Sequence, residues 1–210
     1  AESALAKMLE KWEDSLPEHM HLAYLPDQLT GVRLRLSVYD TTNENAESEI
    51  DSKMSALKEI LGDILYSEED DTLEACIGRM LSAEGMTVSA AESCTGGLMA
   101  STLVSVSGAS SVFEYGFTVY SAKAKNEVLE VSLDTIKNKG IVSKEVAYEM
   151  ANGALCKSGA SIAISVTGCA GPGKDDEGNE EGTICFGFSI KNTFTITEKV
   201  NIEGNSRNEI

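Results

Sequence analysis

Residues 69–210 alternate strand-like and helix-like stretches, which predicts an α/β fold: a three-layer α/β/α domain on a mixed, largely parallel sheet. Two further observations complete the fold class. Residues 1–68 read as helix, strand, strand, helix, a small α-β-β-α module in front of that domain. Between the two regions runs the acidic stretch "SEEDDTLEA", a linker by composition.

In the small module, "ESALAKMLEKWEDSL" sets Leu5, Met8, Leu9 and Trp12 at helical spacing. "MHLAYLP" and "VRLRLSVYD" are strands; in the second, Val32, Leu34, Leu36 and Val38 alternate with Arg33, Arg35 and Ser37. "AESEIDSKMSALKEILGDIL" returns to helical period, with Ile50, Met54, Leu57, Ile60 and Leu61 on one face. Asp70 or Asp71 is expected to cap the next helix, Thr72–Glu84.

In the larger region "MTVSAAE" is a short buried strand, followed by a helix that begins at the glycines of "CTGGLMASTLVSVSGAS". "SVFEYGFTVYS" is a strand, and "SAKAKNEVLEV" a helix. "SLDTIKNKG" is a short helix with a serine cap and a closing glycine. "SKEVAYEMANGALCKSGA" is a longer helix, "SIAISVTG" a buried strand, and "GTICFGFSI" with "TFTITEKVNI" an antiparallel pair. A further helix is expected to start in "GNSRNEI", so that both ends read as cuts in a longer protein.

Composition narrows the function classes. The net charge is −17, and residues 1–75 hold 6 basic against 18 acidic side chains. Such a surface repels phosphate backbones and anionic membranes, so neither nucleic acid nor membrane is an expected partner. No apolar run is long enough to span a bilayer, and the chain opens without a signal-peptide pattern. Five scattered cysteines without a C-x-x-C pair fit free thiols in a reducing compartment. A cytoplasmic location is the expectation, with no metal and no cofactor.

Chemistry concentrates in two loops beyond strand ends, "ESCTGG" and "TGCAGPGKDDEGNEEGT", where open α/β sheets bind ligands. The first offers Ser93, Cys94 and Thr95 as nucleophiles beside Glu92. The two histidines, His19 and His21, fall in a predicted strand of the small module, which disfavours a histidine-based triad or metal site in the α/β domain. A hydroxyl nucleophile here needs Lys, Tyr or a carboxylate as base. "YSAKAK" supplies Tyr120, Lys123 and Lys125 at a strand-to-helix junction, where burial and the helix dipole lower a lysine pKa. Each signal has a bland counterpart: solvated lysines, and a glycine turn that serves only packing. "SCTGG" is neither a Walker loop nor a complete G-x-G-x-x-G.

Taken in order, "AESCTGGLMA", "GASSVFEYGFTVYSAKAK", "GIVSKEVAYEMANGAL", "ISVTGCAGPGK" and "EGTICFGF" resemble the C-terminal domain of competence/damage-inducible protein CinA, the nicotinamide-nucleotide amidase (PncC) family. "WEDSLPEHMHLAYLP" and "VRLRLSVYD" resemble the small KH-like middle domain of full-length CinA. The resemblance implies deamidation of nicotinamide mononucleotide to nicotinate mononucleotide and ammonia. It implies Ser93 as nucleophile, Lys125 as base and Tyr120 as orienting or relaying group, with Lys123 dispensable. It places Cys94, Thr95, Gly96, Gly97, Thr167, Gly168 and Arg207 around the substrate, the last through "GNSR", which holds one residue more than the family's "GDR"-like motif. Thr95 is expected to hold the substrate phosphate, and amides of the Cys94–Gly97 turn or of Gly168 to stabilise the oxyanion. Cys94 is the rival nucleophile and Glu92 the reserve base. "KDDEGNEE" is expected to be a mobile loop tip. A homodimer is expected, fused natively to a larger N-terminal domain. The competing expectation is a non-catalytic nucleotide-binding or oligomerisation module of a larger CinA-type protein.

Overall fold

The computed structural model describes residues 2–27, 31–39, 45–204 and 207. The chain divides into two compact units, residues 1–76 and 77–210.

The first unit contains α1 (Glu2–Glu13), β1 (Met20–Asp27), β2 (Gly31–Val38) and α2 (Ala46–Leu61). β1 and β2 pair antiparallel from Met20↔Val38 to Asp27↔Gly31. This register points Leu22, Tyr24, Leu34 and Leu36 at one face, where they meet Leu9, Trp12, Leu57 and Leu61 of the helices. Burying Leu9 and Leu57, both fully enclosed, contributes roughly 2 kcal/mol each. Only His21 lies in β1; His19 precedes it in a turn and meets Glu49 at 3.1 Å. The cap of α3 (Leu73–Ala83) is Thr72, not Asp70 or Asp71: the Ala75 amide donates to Thr72 Oγ1 at 3.4 Å. Asp70 pairs instead with Arg33.

The second unit is a five-stranded sheet between helices. In chain order it holds β3 (Val88–Glu92), α4 (Leu98–Val104), β4 (Phe113–Thr118), α5 (Ala122–Leu129), α6 (Leu133–Lys139), α7 (Lys144–Ser158), β5 (Ile162–Cys169), β6 (Thr183–Ile190) and β7 (Thr195–Asn201). Strand order is β4-β3-β5-β6-β7. β4, β3 and β5 run parallel, and β6 and β7 add antiparallel. The sheet is therefore mixed, as expected, with its parallel half at β4-β3-β5. The two faces follow from strand alternation. Ala91 and Ala163 join Leu129, Val146, Met150 and Ala154 on the α5/α7 side. Val88, Ile162 and Ile164 join Leu81 and Leu103 on the α3/α4 side. Helix α7 lies close on β6 because Gly187 has no side chain; a Cβ there would come within 2.4 Å of the Ala147 carbonyl oxygen.

Ser121, Ser132 and Ser143 cap α5, α6 and α7, each accepting from the amide three residues on. The helix expected in "GNSRNEI" falls largely on residues 205, 206 and 208–210, outside the described residues. No helix among the described residues is long and apolar enough to cross a membrane.

Candidate active site

Three parallel strands point their carboxyl ends the same way, so the residues just past β3, β4 and β5 share one edge. Ser93 follows β3 and its amide donates to the Val166 carbonyl of β5. Val119 and Tyr120 follow β4, and the Val119 amide donates to the Glu92 carbonyl. Lys125 sits in the first turn of α5, which Ser121 starts immediately afterwards.

Lys125 is fully buried, yet its nitrogen meets only neutral oxygens. It lies 2.7 Å from Ser93 Oγ, 2.9 Å from the Val119 carbonyl and 3.3 Å from the Tyr120 carbonyl. Among the described residues no carboxylate forms an ion pair with it. Burial therefore lowers its pKa from 10.5 to about 8. A neutral amine has two N–H groups and one lone pair. Two carbonyls take the N–H groups, and the lone pair is left to accept the Ser93 hydroxyl proton. Lys123, two residues earlier, is exposed and pairs with Glu127 on the outer face of α5.

Glu92 is 1% exposed and fully committed. One carboxylate oxygen accepts from Thr95 Oγ1 (2.7 Å), the Gly97 amide (3.1 Å) and the Met99 amide (2.9 Å). The other accepts from the Ala100 amide at 2.8 Å. These donors belong to the turn and to the positive end of α4, so Glu92 caps a helix, and the reserve-base expectation falls. Thr95 is likewise turned toward Glu92; its hydroxyl proton is not offered to a substrate phosphate. The turn closes because Gly97 adopts φ 107°, open to glycine and strained for other residues.

The same bonding narrows the oxyanion donors. The Gly97 amide is held by Glu92 and the Gly96 amide by the Ser93 carbonyl. Alternation along β5 turns the Gly168 amide to the same edge as the Val166 carbonyl, which bonds Ser93. A Cβ at Gly168 would lie 3.2 Å from Cys94 Sγ. Cys94 has its thiol pKa raised, chiefly by burial, so it rests as a thiol.

A cleft of about 290 Å³ opens beside Ser93. Thr167, Gly168 and Gly171 line it, as do Tyr120 and Arg207. Thr167 Oγ1 itself donates to the Ile141 carbonyl at 3.0 Å. The Tyr120 side chain is 63% exposed, and its hydroxyl accepts from Arg207 Nη2 at 3.0 Å. Only its backbone carbonyl bonds Lys125, so the phenol is a rim group here. Arg207 Nη1 also donates to the Gly171 carbonyl, at 2.7 Å. Sequence reasoning missed the wall formed by Ile141 and Val142, whose signal was the quoted "GIVSK". It also missed how the acidic loop is held. Asp175 accepts from the Glu177 and Asn179 amides, and Glu177 accepts from the Ile141 amide at 2.8 Å. The loop tip expected to be mobile is thus tied to the cleft wall.

The fold and the edge define an α/β protein that buries a serine–lysine pair at the carboxyl ends of parallel strands. Its sequence places it in a family. The chain belongs to the CinA family: residues 70–210 match the CinA C-terminal domain, and residues 1–67 match the KH domain of damage-inducible protein CinA. A CinA-like protein of Chlorobium phaeobacteroides is 44% identical over 190 residues, 90% of this chain and 45% of that protein. One from Flavobacterium psychrophilum is 43% identical over 184 residues, 87% of this chain and 44% of the relative. The chain thus spans less than half the length of these relatives. Among solved structures, the competence/damage inducible protein CihA from Agrobacterium tumefaciens superposes with a TM-score of 0.62 at 36% identity, covering 65% of this chain and 83% of that one. The competence damage-inducible protein A (ComA) of Klebsiella pneumoniae gives 0.61 at 35% identity, covering 63% and 81%.

Proposed function

We propose that the chain is an amidohydrolase that converts nicotinamide mononucleotide to nicotinate mononucleotide and ammonia. The observation that supports it most is the 2.7 Å contact between Ser93 Oγ and a buried Lys125 whose pKa is lowered to about 8. Lys125 takes the hydroxyl proton as Ser93 Oγ attacks the carboxamide carbon. The oxyanion meets the Gly168 amide. Lys125 returns the proton to the amide nitrogen, the C–N bond breaks and ammonia leaves. Water then attacks the acyl-serine, its proton passing through Lys125, and the carboxylate product leaves with Ser93 restored.

The cleft is close to the lower bound of small-ligand sites, about 300 Å³. Arg207 brings a cation to its rim, which suits a mononucleotide phosphate. The α-β-β-α region (1–68) serves in this reading as an accessory module to the amidase region (69–210), in a cytoplasmic homodimer joined natively to a larger N-terminal domain. Nucleic acid is not a partner in this reading: residues 1–76 contain only Gly31 and Gly62, and so lack the GxxG loop by which KH modules clamp a backbone. The test is ammonia release from nicotinamide mononucleotide by the purified chain, with acyl-enzyme at Ser93 trapped in a quench. Absence of ammonia release, with the fold intact, sinks the reading.

A further inference from the structure

We infer that Glu92 is a positioning residue for Ser93: its buried carboxylate fixes the turn that aims the nucleophile at Lys125. This rests on Ser93 acting as nucleophile and Lys125 as base.

The inference starts from what else holds the turn: the Gly96 amide donates to the Ser93 carbonyl and the Leu98 amide to the Thr95 carbonyl, and neither bond reaches β3. Ser93 is the first residue after β3, and its side chain has no covalent restraint except the backbone on either side. Upstream, that backbone is locked by the Ser93 amide on Val166 and by the Glu92 carbonyl, which accepts from Val119. Downstream, residues 94–97 leave the sheet, and two consecutive glycines with positive φ follow at 96 and 97. A stretch of this kind has many accessible conformations. Beyond those two backbone bonds, the Glu92 side chain restricts that freedom by reaching across the turn to Thr95, Gly97, Met99 and Ala100. The downstream arm is thereby pinned to the residue immediately before the nucleophile.

The chemistry of the anchor matters too. Four donors converge on one carboxylate, and charge-assisted hydrogen bonds are the shorter and stronger kind. Glutamine cannot copy it in full: with its oxygen in the place that accepts three donors, its NH₂ faces the Ala100 amide, donor against donor. Burial is the leading influence on Lys125. The anchor thus fixes geometry, while burial lowers the Lys125 pKa to about 8. A nucleophile displaced by about 1 Å loses on the order of a hundredfold in rate, so the anchor is a kinetic requirement as well as a fold element.

The experiment uses phenylmethanesulfonyl fluoride, a small electrophile that needs no knowledge of the substrate. Ser93 Oγ bonds to sulfur, fluoride leaves, and Lys125 takes the proton; mass spectrometry locates the adduct. Wild-type chain and Glu92→Gln are compared by inactivation kinetics, with thermal melting to check the fold. The expected result is a kinact at least about tenfold lower in Glu92→Gln, with KI within about twofold of wild type. A wild-type kinact in a folded Glu92→Gln overturns the inference, as does a change confined to KI. If Glu92→Gln does not fold, Thr95→Val decides, since it removes one donor from a half-buried site; a few-fold lower kinact upholds the inference and a wild-type kinact overturns it. Failure of wild-type chain to label at Ser93 overturns it as well. Labelling at Ser93 without ammonia release from nicotinamide mononucleotide sinks the amidase reading alone, and the kinact ratio still decides the role of Glu92.

Discussion

Two neighbouring strand-to-helix turns, β3–α4 and β4–α5, each bury an ionisable side chain, and they treat it in opposite ways. Glu92 is met by four donors, three amides and a hydroxyl, and is tied into the turn. Lys125 is met by a hydroxyl and two carbonyls and is driven toward neutrality. Burial alone does not separate a structural charge from a reactive one; the partners do. A carboxylate that accepts from three amides and a hydroxyl is committed to holding its turn. An amine given two acceptors keeps its lone pair for one hydroxyl.

The largest effect that tests this contrast is loss of either reacting group. Ser93→Ala is expected to reduce amide turnover by about 10⁴-fold or more. Lys125→Arg is expected to cost at least about 10²-fold, because a guanidinium keeps its proton. Both are read by steady-state ammonia release, and near-normal turnover in Lys125→Arg would place the base elsewhere.

The next effect is on pH. Turnover through Ser93 requires neutral Lys125, so kcat/KM should fall about tenfold per unit below a pKa of about 8 and level off above it. Stability carries the same signature. The folded pKa lies below the unfolded value of 10.5, so between pH 8 and pH 10.5 the unfolded chain binds more protons at this site. The Lys125 contribution to stability therefore rises with pH across that window and is lost as pH falls through it. Urea melts of wild type and Lys125→Met should show their difference shifting toward wild type by up to about 3 kcal/mol from pH 7.5 to 10.5. A flat difference would mean that Lys125 is not desolvated.

Smaller effects sharpen the boundary of the site. Glu177→Gln weakens the tie between the acidic loop and the Ile141 amide and should raise KM a few-fold with kcat retained. Cys94→Ala and Lys123→Arg should stay within about threefold of wild type in kcat/KM. A dead Cys94→Ala with an intact fold would return the sulfur to candidacy.

Much of this was legible in the chain. The serine cap of "SLDTIKNKG" and the strand–helix alternation are local signals, and they mark the elements of the second unit correctly; Ser121 and Ser143 play the same capping part in α5 and α7. "TVSAAE" and "SIAISVTG" read as buried strands, but their adjacency did not, because β3 pairs with a strand some seventy residues away. From the residues alone Ser93 and Cys94 stayed open, and so did Lys123 and Lys125. The choice depends on which side of α5 is buried, a tertiary fact. Glu92 was misjudged for a related reason: beside a nucleophile a carboxylate reads as a base, and only the return of α4 onto it shows its four donors. The hold on the acidic loop was not legible, because its anchors, Asp175 and Glu177, resemble solvated charges until the amides that donate to them are known. Tyr120 was named by resemblance, and the structure presents its phenol at the rim, against Arg207.

The division into two units gives the molecule a built-in pair of independent thermometers. Every residue lining the cleft lies beyond residue 77, whereas Trp12, the only tryptophan in the chain, sits in the core of the first unit. Indole fluorescence therefore follows melting of the small module alone, and turnover follows the unit that holds Ser93. Agreement of the two midpoints would reveal a single cooperative transition, and their separation would measure how much each unit owes its stability to its own core.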